Sequence, residues 1–198
     1  MNADLHPTYD IDIMKTFLLP TVLGGVILFF WQFLSFAAIN LHGDAQEYTP
    51  LDRDILAHLA ELNLEEGMYA LGSPSPEERA DPEGLGAEYM ARMEGQPYAV
   101  LNYQLEWRGD MSPNLIRSLV MNLLTSGLLI WLLGQLRNPT LFRRVMLCTA
   151  AGMVGFMFFP YSNFIWFKNP DIFAHLVDAL VPFSVVGLVG HAFLRSRT

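Results

Sequence analysis

The sequence predicts an all-α integral membrane protein of four transmembrane helices, with a small extracytoplasmic α+β insert between the first and second. Three observations carry this. Four apolar stretches stand out, at 17–40, 115–136, 145–166 and 172–194. Each supplies the roughly 20 residues that a helix needs to cross a hydrocarbon core of about 30 Å. Only 16% of residues are charged, against about 25% in soluble domains, and fifteen of the twenty acids fall within 41–114. Inside that polar connection, helical and alternating patterns mark folded pieces rather than a plain linker.

Residues 1–16 are polar and form a short N-terminal segment. The stretch 17–40 is longer than a signal-peptide core of about 7–15 residues, so it is expected to stay as a span even though Ser35-Phe36-Ala37 offers small residues at its end. Within the insert 41–114, Thr49-Pro50-Leu51-Asp52 reads as a helix start: Thr as N-cap, Pro first, then an acid. Leu51, Ile55, Leu59 and Leu62 continue it at three- and four-residue spacing. Met68–Leu71 and the aromatic-rich run Tyr98–Trp107 read as strands, and Gly86–Glu94 as a second helix. Ser73–Gly84, rich in Pro, Glu and Gly, reads as a mobile excursion. An insert of this size cannot bury much apolar surface alone and is expected to lean on the spans or on a partner. The spans 115–136, 145–166 and 172–194 follow, joined by 137–144 and 167–171, with 195–198 as the tail. Pro160 is expected to bend the third span.

Arginine and lysine placement orients the chain. Arg137, Arg143 and Arg144 follow the second span, Arg195 and Arg197 follow the fourth, and Lys15 precedes the first. The positive-inside rule puts these on the cytoplasmic side, and four crossings bring both termini there. The expectation is a multi-pass protein of a bacterial inner membrane. The acidic insert, part of a net charge of -8, repels nucleic acid. The single Cys148 forms no internal disulfide.

Candidate site residues come from polar groups inside the apolar stretches. Gln32, Ser35, Arg117, Asn122, Ser126, Tyr161, Asn163, His175 and Asp178 all lie toward the extracytoplasmic ends. The cytoplasmic halves carry Gly24, Gly25, Gly134, Gly152, Gly155, Gly187 and Gly190 instead, where small residues let helices approach. Asp178 is the sharpest of the set, since an acid within a membrane must be paired, protonated or hydrated. Pro182 removes the helical partner of its carbonyl, and His175 lies one turn earlier on the same face. Asp178 is expected to face the bundle interior and touch Arg117, Asn122, Tyr161 or His175. The structural reading is a docking pair between helices; the functional reading is a proton, ligand or cofactor site. His42 and His175, both near the outer interface, form a thinkable axial pair for a metal or haem. No cofactor is identified by motif: there is no G-x-G-x-x-G, no phosphate-binding loop, no C-x-x-C-H and no H-E-x-x-H.

Trp31–His42, Gly67-Met68-Tyr69 and Gly95–Tyr98 are similar to a group of uncharacterised bacterial four-span membrane proteins. Their aromatic first span ends in a Pro-Trp-His step and is followed by a Ser-Gly-Ile-Tyr-like strand. Here the corresponding step is Asn40-Leu41-His42, which keeps only the histidine, and the strand reads Glu66-Gly67-Met68-Tyr69. The resemblance implies the four-span layout and carries no activity.

With no nucleophile–base pair legible, the leading expectation is a non-catalytic accessory subunit of a larger inner-membrane complex of respiratory or photosynthetic type. Its partners would be the lipid bilayer and other membrane subunits. The alternative is the handling of a small molecule, proton, quinone or haem at the outer-leaflet polar site around His175 and Asp178.

Overall fold

In a computed structural model, residues 14–80 and 86–194 are described. The remainder of the N-terminal segment, Asp81 and Glu83 of the insert, and Arg195 and Arg197 of the tail lie outside them. Four helices are long and apolar enough to cross a membrane: α1 (Met14–Ala38), α5 (Ser112–Gly134), α6 (Leu141–Phe167) and α7 (Ile172–Leu194). The chain forms two units, residues 48–109 and the remainder.

In the helical unit, α1 packs on α5 and α7, while α6 packs chiefly on α7. Glycines set the closest approaches. A Cβ on Gly187 would lie 2.7 Å from Val145 Cα of α6, and one on Gly25 2.9 Å from Leu123 Cα of α5. Gly152 faces the backbone of Ala179 with still less room. Each pair therefore brings two helix backbones together, as small residues allow. Gly134 and Gly155, expected to do the same, face open space. The core between these helices is Leu28, Leu129, Ile130, Leu133, Cys148, Val186 and Leu194. Because α5 and α6 each lean on α1 or α7 and touch one another little, a gap opens between them.

Two helix details differ from expectation. The third span starts at Leu141, four residues early, because Thr140 caps it: its Oγ1 accepts from Arg143 N at 3.3 Å. Arg143 and Arg144 therefore belong to the helix and not to the connection 137–144. Arg144 is buried, and its guanidinium donates to the carbonyls of Gly190 and His191 at 3.2 Å each. It satisfies acceptors near the end of α7, where a cation is favoured. At Pro160 the helix widens into a π-helical turn, Met157–Tyr161, and continues. This wide turn lies where a bend was expected, and it accommodates the N–H that proline lacks.

The second unit holds α2 (Asp52–Glu61), β1 (Gly67–Leu71), α3 (Pro76–Ala80), α4 (Ala87–Met93) and β2 (Ala99–Tyr103). The strands pair antiparallel, Gly67 opposite Tyr103 and Leu71 opposite Ala99. β2 is shorter than the expected Tyr98–Trp107, because β1 supplies only five partners and beyond Tyr103 the Leu105 N–H turns to the Glu66 side chain. α2 begins at Asp52: Thr49 Oγ1 accepts from Leu51 N at 3.3 Å, closing a turn rather than capping the helix. Part of the expected mobile excursion is ordered as α3. Ser75 and Glu78 form a reciprocal cap, with Ser75 N donating to Glu78 Oε2 at 2.8 Å and Glu78 N to Ser75 Oγ at 3.2 Å. Arg92 of α4 pairs with Glu78. α2, α3 and α4 bury none of their residues.

Candidate functional site

Two local devices build the site. The last turn of α1, Leu34–Ala38, is π-helical: Ile39 N donates to Leu34 O at 2.7 Å and Leu41 N to Ser35 O at 2.8 Å. Asn40 then takes a left-handed conformation, φ 55°, which a short amide side chain tolerates. The wide turn and the reversal carry His42 back against the bundle, where it is 5% exposed. On α7, Asp171 stands just before the first turn, with His175 four residues on and Asp178 seven. That spacing places all three on one helix face.

The two devices meet in a polar cluster. Asp178 Oδ1 accepts from Trp31 Nε1–H at 2.9 Å and from the Ser35 hydroxyl at 2.7 Å. Asp178 Oδ2 lies 2.9 Å from His42 Nε2, and Asp171 Oδ2 lies 2.8 Å from His42 Nδ1. Each ring nitrogen of His42 thus faces a carboxylate oxygen, and an imidazole with hydrogens on both nitrogens can donate to both. Burial by itself lowers the His42 pKa; the hydrogen bonds and charges of Asp171 and Asp178 outweigh it, and the net direction is up from 6.5. His175 Nε2 is 3.3 Å from the same Asp171 oxygen. Phe36 stacks flat on His42 with ring centroids 3.8 Å apart, and His175 meets His42 edge-on at 4.8 Å. The cluster ties α1, and the turn after it, to α7.

Beside the cluster lies the gap between α5 and α6, a cleft of about 390 Å³ floored by α1 and α7. Trp31, Phe36, Phe156 and Phe183 give it aromatic walls, and His175 and Asp178 reach one side. Gln32 and Asn122 reach the other. Gln32 Oε1 accepts from Ser118 Oγ at 2.7 Å and from Asn122 Nδ2 at 3.0 Å. Gln32 Nε2 and Asn122 Oδ1 make no hydrogen bond among the described residues. The cleft thus combines apolar walls with donors and acceptors at two sides, the usual make-up of a small-molecule site of about 300–1,000 Å³.

Of the residues picked from sequence, Asp178, His175 and His42 come together, and Gln32 and Asn122 line the same cleft. Asp178 hydrogen-bonds to none of its four expected neighbours; its bonds go to Trp31, Ser35 and His42, because the reversal at Asn40 brings a better donor closer. Tyr161 packs its ring against Phe156 and Phe164. Arg117 is exposed, and neither it nor Asn163 makes a side-chain hydrogen bond among the described residues. Between His42 and His175 the edge-on contact leaves no slot for a porphyrin plane, so the expected axial pair does not fit a haem. Asp171 and Trp31 were not anticipated. The 171, 175, 178 spacing is the sequence signal for the first; a tryptophan inside an apolar span gives none. No protein-family model, curated protein or solved structure matches this chain.

Proposed function

We propose that the chain is a multi-pass membrane protein that binds a small amphipathic molecule, of quinone type, in the cleft between α5 and α6. The observation that carries the reading is the union of a ligand-sized aromatic cleft with ionisable side chains in apolar helices. Such residues are costly in a membrane and mark functional sites by default. Trp31, Phe36, Phe156 and Phe183 offer a flat ring its apolar surroundings, and Gln32 offers a hydrogen bond to a ring oxygen. In this reading both termini are cytoplasmic, the second unit is extracytoplasmic and the cleft lies in the outer leaflet of a bacterial inner membrane. The arginine asymmetry supports that orientation.

The test uses the protein in detergent with a short-chain benzoquinone as probe. A bound quinone quenches the Trp31 indole that lines the cleft. Saturable quenching in the wild type, lost in Gly155→Leu, is the expected result. Gly155 lines the cleft and a Cβ there meets nothing within 4 Å, so the new side chain fills the space without disturbing a helix contact. Quenching that is linear in quinone, or equal in the two proteins, rejects the site.

A role as an accessory subunit is the second reading, favoured by the second unit. Trp107 is 92% exposed, Met68 and Tyr98 are also open, and the helices there bury no residue. Extraction in native-lipid discs followed by native mass measurement tests it. A stoichiometric protein partner supports the reading, and a lone chain rejects it.

A further inference from the structure

We propose that His42, His175 and Asp178 bind one divalent first-row transition ion, of zinc type. This goes beyond the cleft reading and does not depend on it. One ligand atom from each residue lies within 4.8 Å of the other two. A tetrahedral zinc site, with Zn–N of about 2.0–2.1 Å, holds its ligand atoms about 3.3 Å apart, so the three side chains draw together when the ion binds. Two imidazoles and a carboxylate, with no thiolate, suit zinc and its first-row neighbours. Cys148, the one thiol, is fully buried in the core between the helices and stands apart.

What separates this cluster from a chance meeting of polar groups is the set of bonds behind it. A ligating histidine almost always gives its other nitrogen to a carboxylate or carbonyl, which fixes the ring and raises its basicity. Asp171 stands in that place for His42, 2.8 Å from Nδ1, which leaves Nε2 for an ion. The same Asp171 oxygen lies 3.3 Å from His175 Nε2. A ligating carboxylate is itself hydrogen-bonded. Asp178 Oδ1 receives Trp31 and Ser35, and Oδ2 is left facing His42 Nε2. Phe36, stacked flat, fixes the plane of the His42 ring. On binding, the ion sheds part of its water shell and replaces the hydrogen on His42 Nε2, which leaves as a proton to solvent. His175 and Asp178 also line the cleft, so the ion is reached from there.

The experiment uses full-length protein purified in detergent through a tag without histidines. Metal content is measured directly; the protein is then stripped with a chelator and titrated with Co²⁺, followed by Zn²⁺. The expected result is one Zn²⁺ per chain, and visible Co²⁺ ligand-field bands that Zn²⁺ abolishes. His42→Ala loses the bands. Asp171→Asn, which keeps the side-chain shape and touches no ion, weakens binding about 10–100-fold. His58→Ala, which removes an exposed histidine of α2, leaves it unchanged, and the far-UV circular dichroism of each variant shows that it is folded. Wild-type protein with neither bound Zn²⁺ nor Co²⁺ bands overturns the proposal, as does binding unaltered in both His42→Ala and Asp171→Asn. Quinone quenching reads the cleft separately, so failure of one reading is distinguishable from failure of the other.

Discussion

Replacing Asp178 by Leu removes the acceptor of three donors at once. Trp31 Nε1–H, the Ser35 hydroxyl and His42 Nε2–H all end on its two oxygens. A buried donor left unsatisfied costs about 1–3 kcal/mol. Ser35 is fully buried and bears the full penalty. The Asp178 side chain is 20% exposed, so water entering from the cleft relieves part of the rest. The expected loss is about 3–5 kcal/mol. Asp178→Asn is the informative contrast. Its amide oxygen still accepts from Trp31 and Ser35. Its NH₂ turns a donor toward His42, which answers by giving up its Nε2 hydrogen and keeping the one shared with Asp171. That exchange trades one charge-assisted bond for a neutral one, at about 1 kcal/mol. Unfolding by denaturant in mixed micelles, followed by tryptophan fluorescence at matched detergent, measures both. If Asp178→Leu falls within about 0.5 kcal/mol of wild type, the range of an ordinary surface substitution, the donors are not satisfied by Asp178 and the site is drawn wrongly.

Three further predictions follow from single features. Gly152→Leu, aimed at the Ala179 backbone, should lower thermal stability by several degrees, whereas Gly155→Leu should leave it equal or raise it, since glycine costs a helix about 1 kcal/mol; equal effects would refute the assigned contacts. The Glu78 carboxyl, held low by Arg92 and by the Ser75 N–H, should titrate below 4.5 in a carbon-detected NMR series. Its cap is present above the ordinary carboxyl range and is lost as pH falls through the lowered value. Arg92→Gln should move that midpoint up, and no movement would remove the pair as its cause. In intact cells, Ser75→Cys should react with an impermeant maleimide and Asn138→Cys should not, with buried Cys148 giving little background; the reverse labelling would invert the orientation.

The four spans were legible because crossing a bilayer demands length and apolarity, and both are one-dimensional properties of a chain. Their ends were less so. Arg143 and Arg144 looked like a connection, yet they lie on a helix that Thr140 had already started, and Arg144 finds acceptors on another span. Asp178 and His175 stood out because ionisable groups are rare in apolar runs. Asp171 did not, since an acid just outside such a run reads as solvated. Trp31 did not, since its indole counts as apolar until its N–H finds an acceptor 147 residues away. The arrival of His42 depends on one π-helical turn and one left-handed asparagine, and neither leaves a periodic trace. The cleft depends on which helix pairs have glycine contacts, a property of pairs that no single segment displays.

In the metal-stripped protein His42 and Asp178 hold each other directly, joining the turn after α1 to α7 at the polar end of the cleft. A double-mutant cycle with His42→Ala and Asp178→Leu, each of which removes the bond between the pair, read by unfolding in mixed micelles, tests it most directly. A charge-assisted pair of this kind predicts a coupling energy of about 1.5–3 kcal/mol. Effects that add to within about 0.5 kcal/mol, as for sites that do not touch, would contradict it.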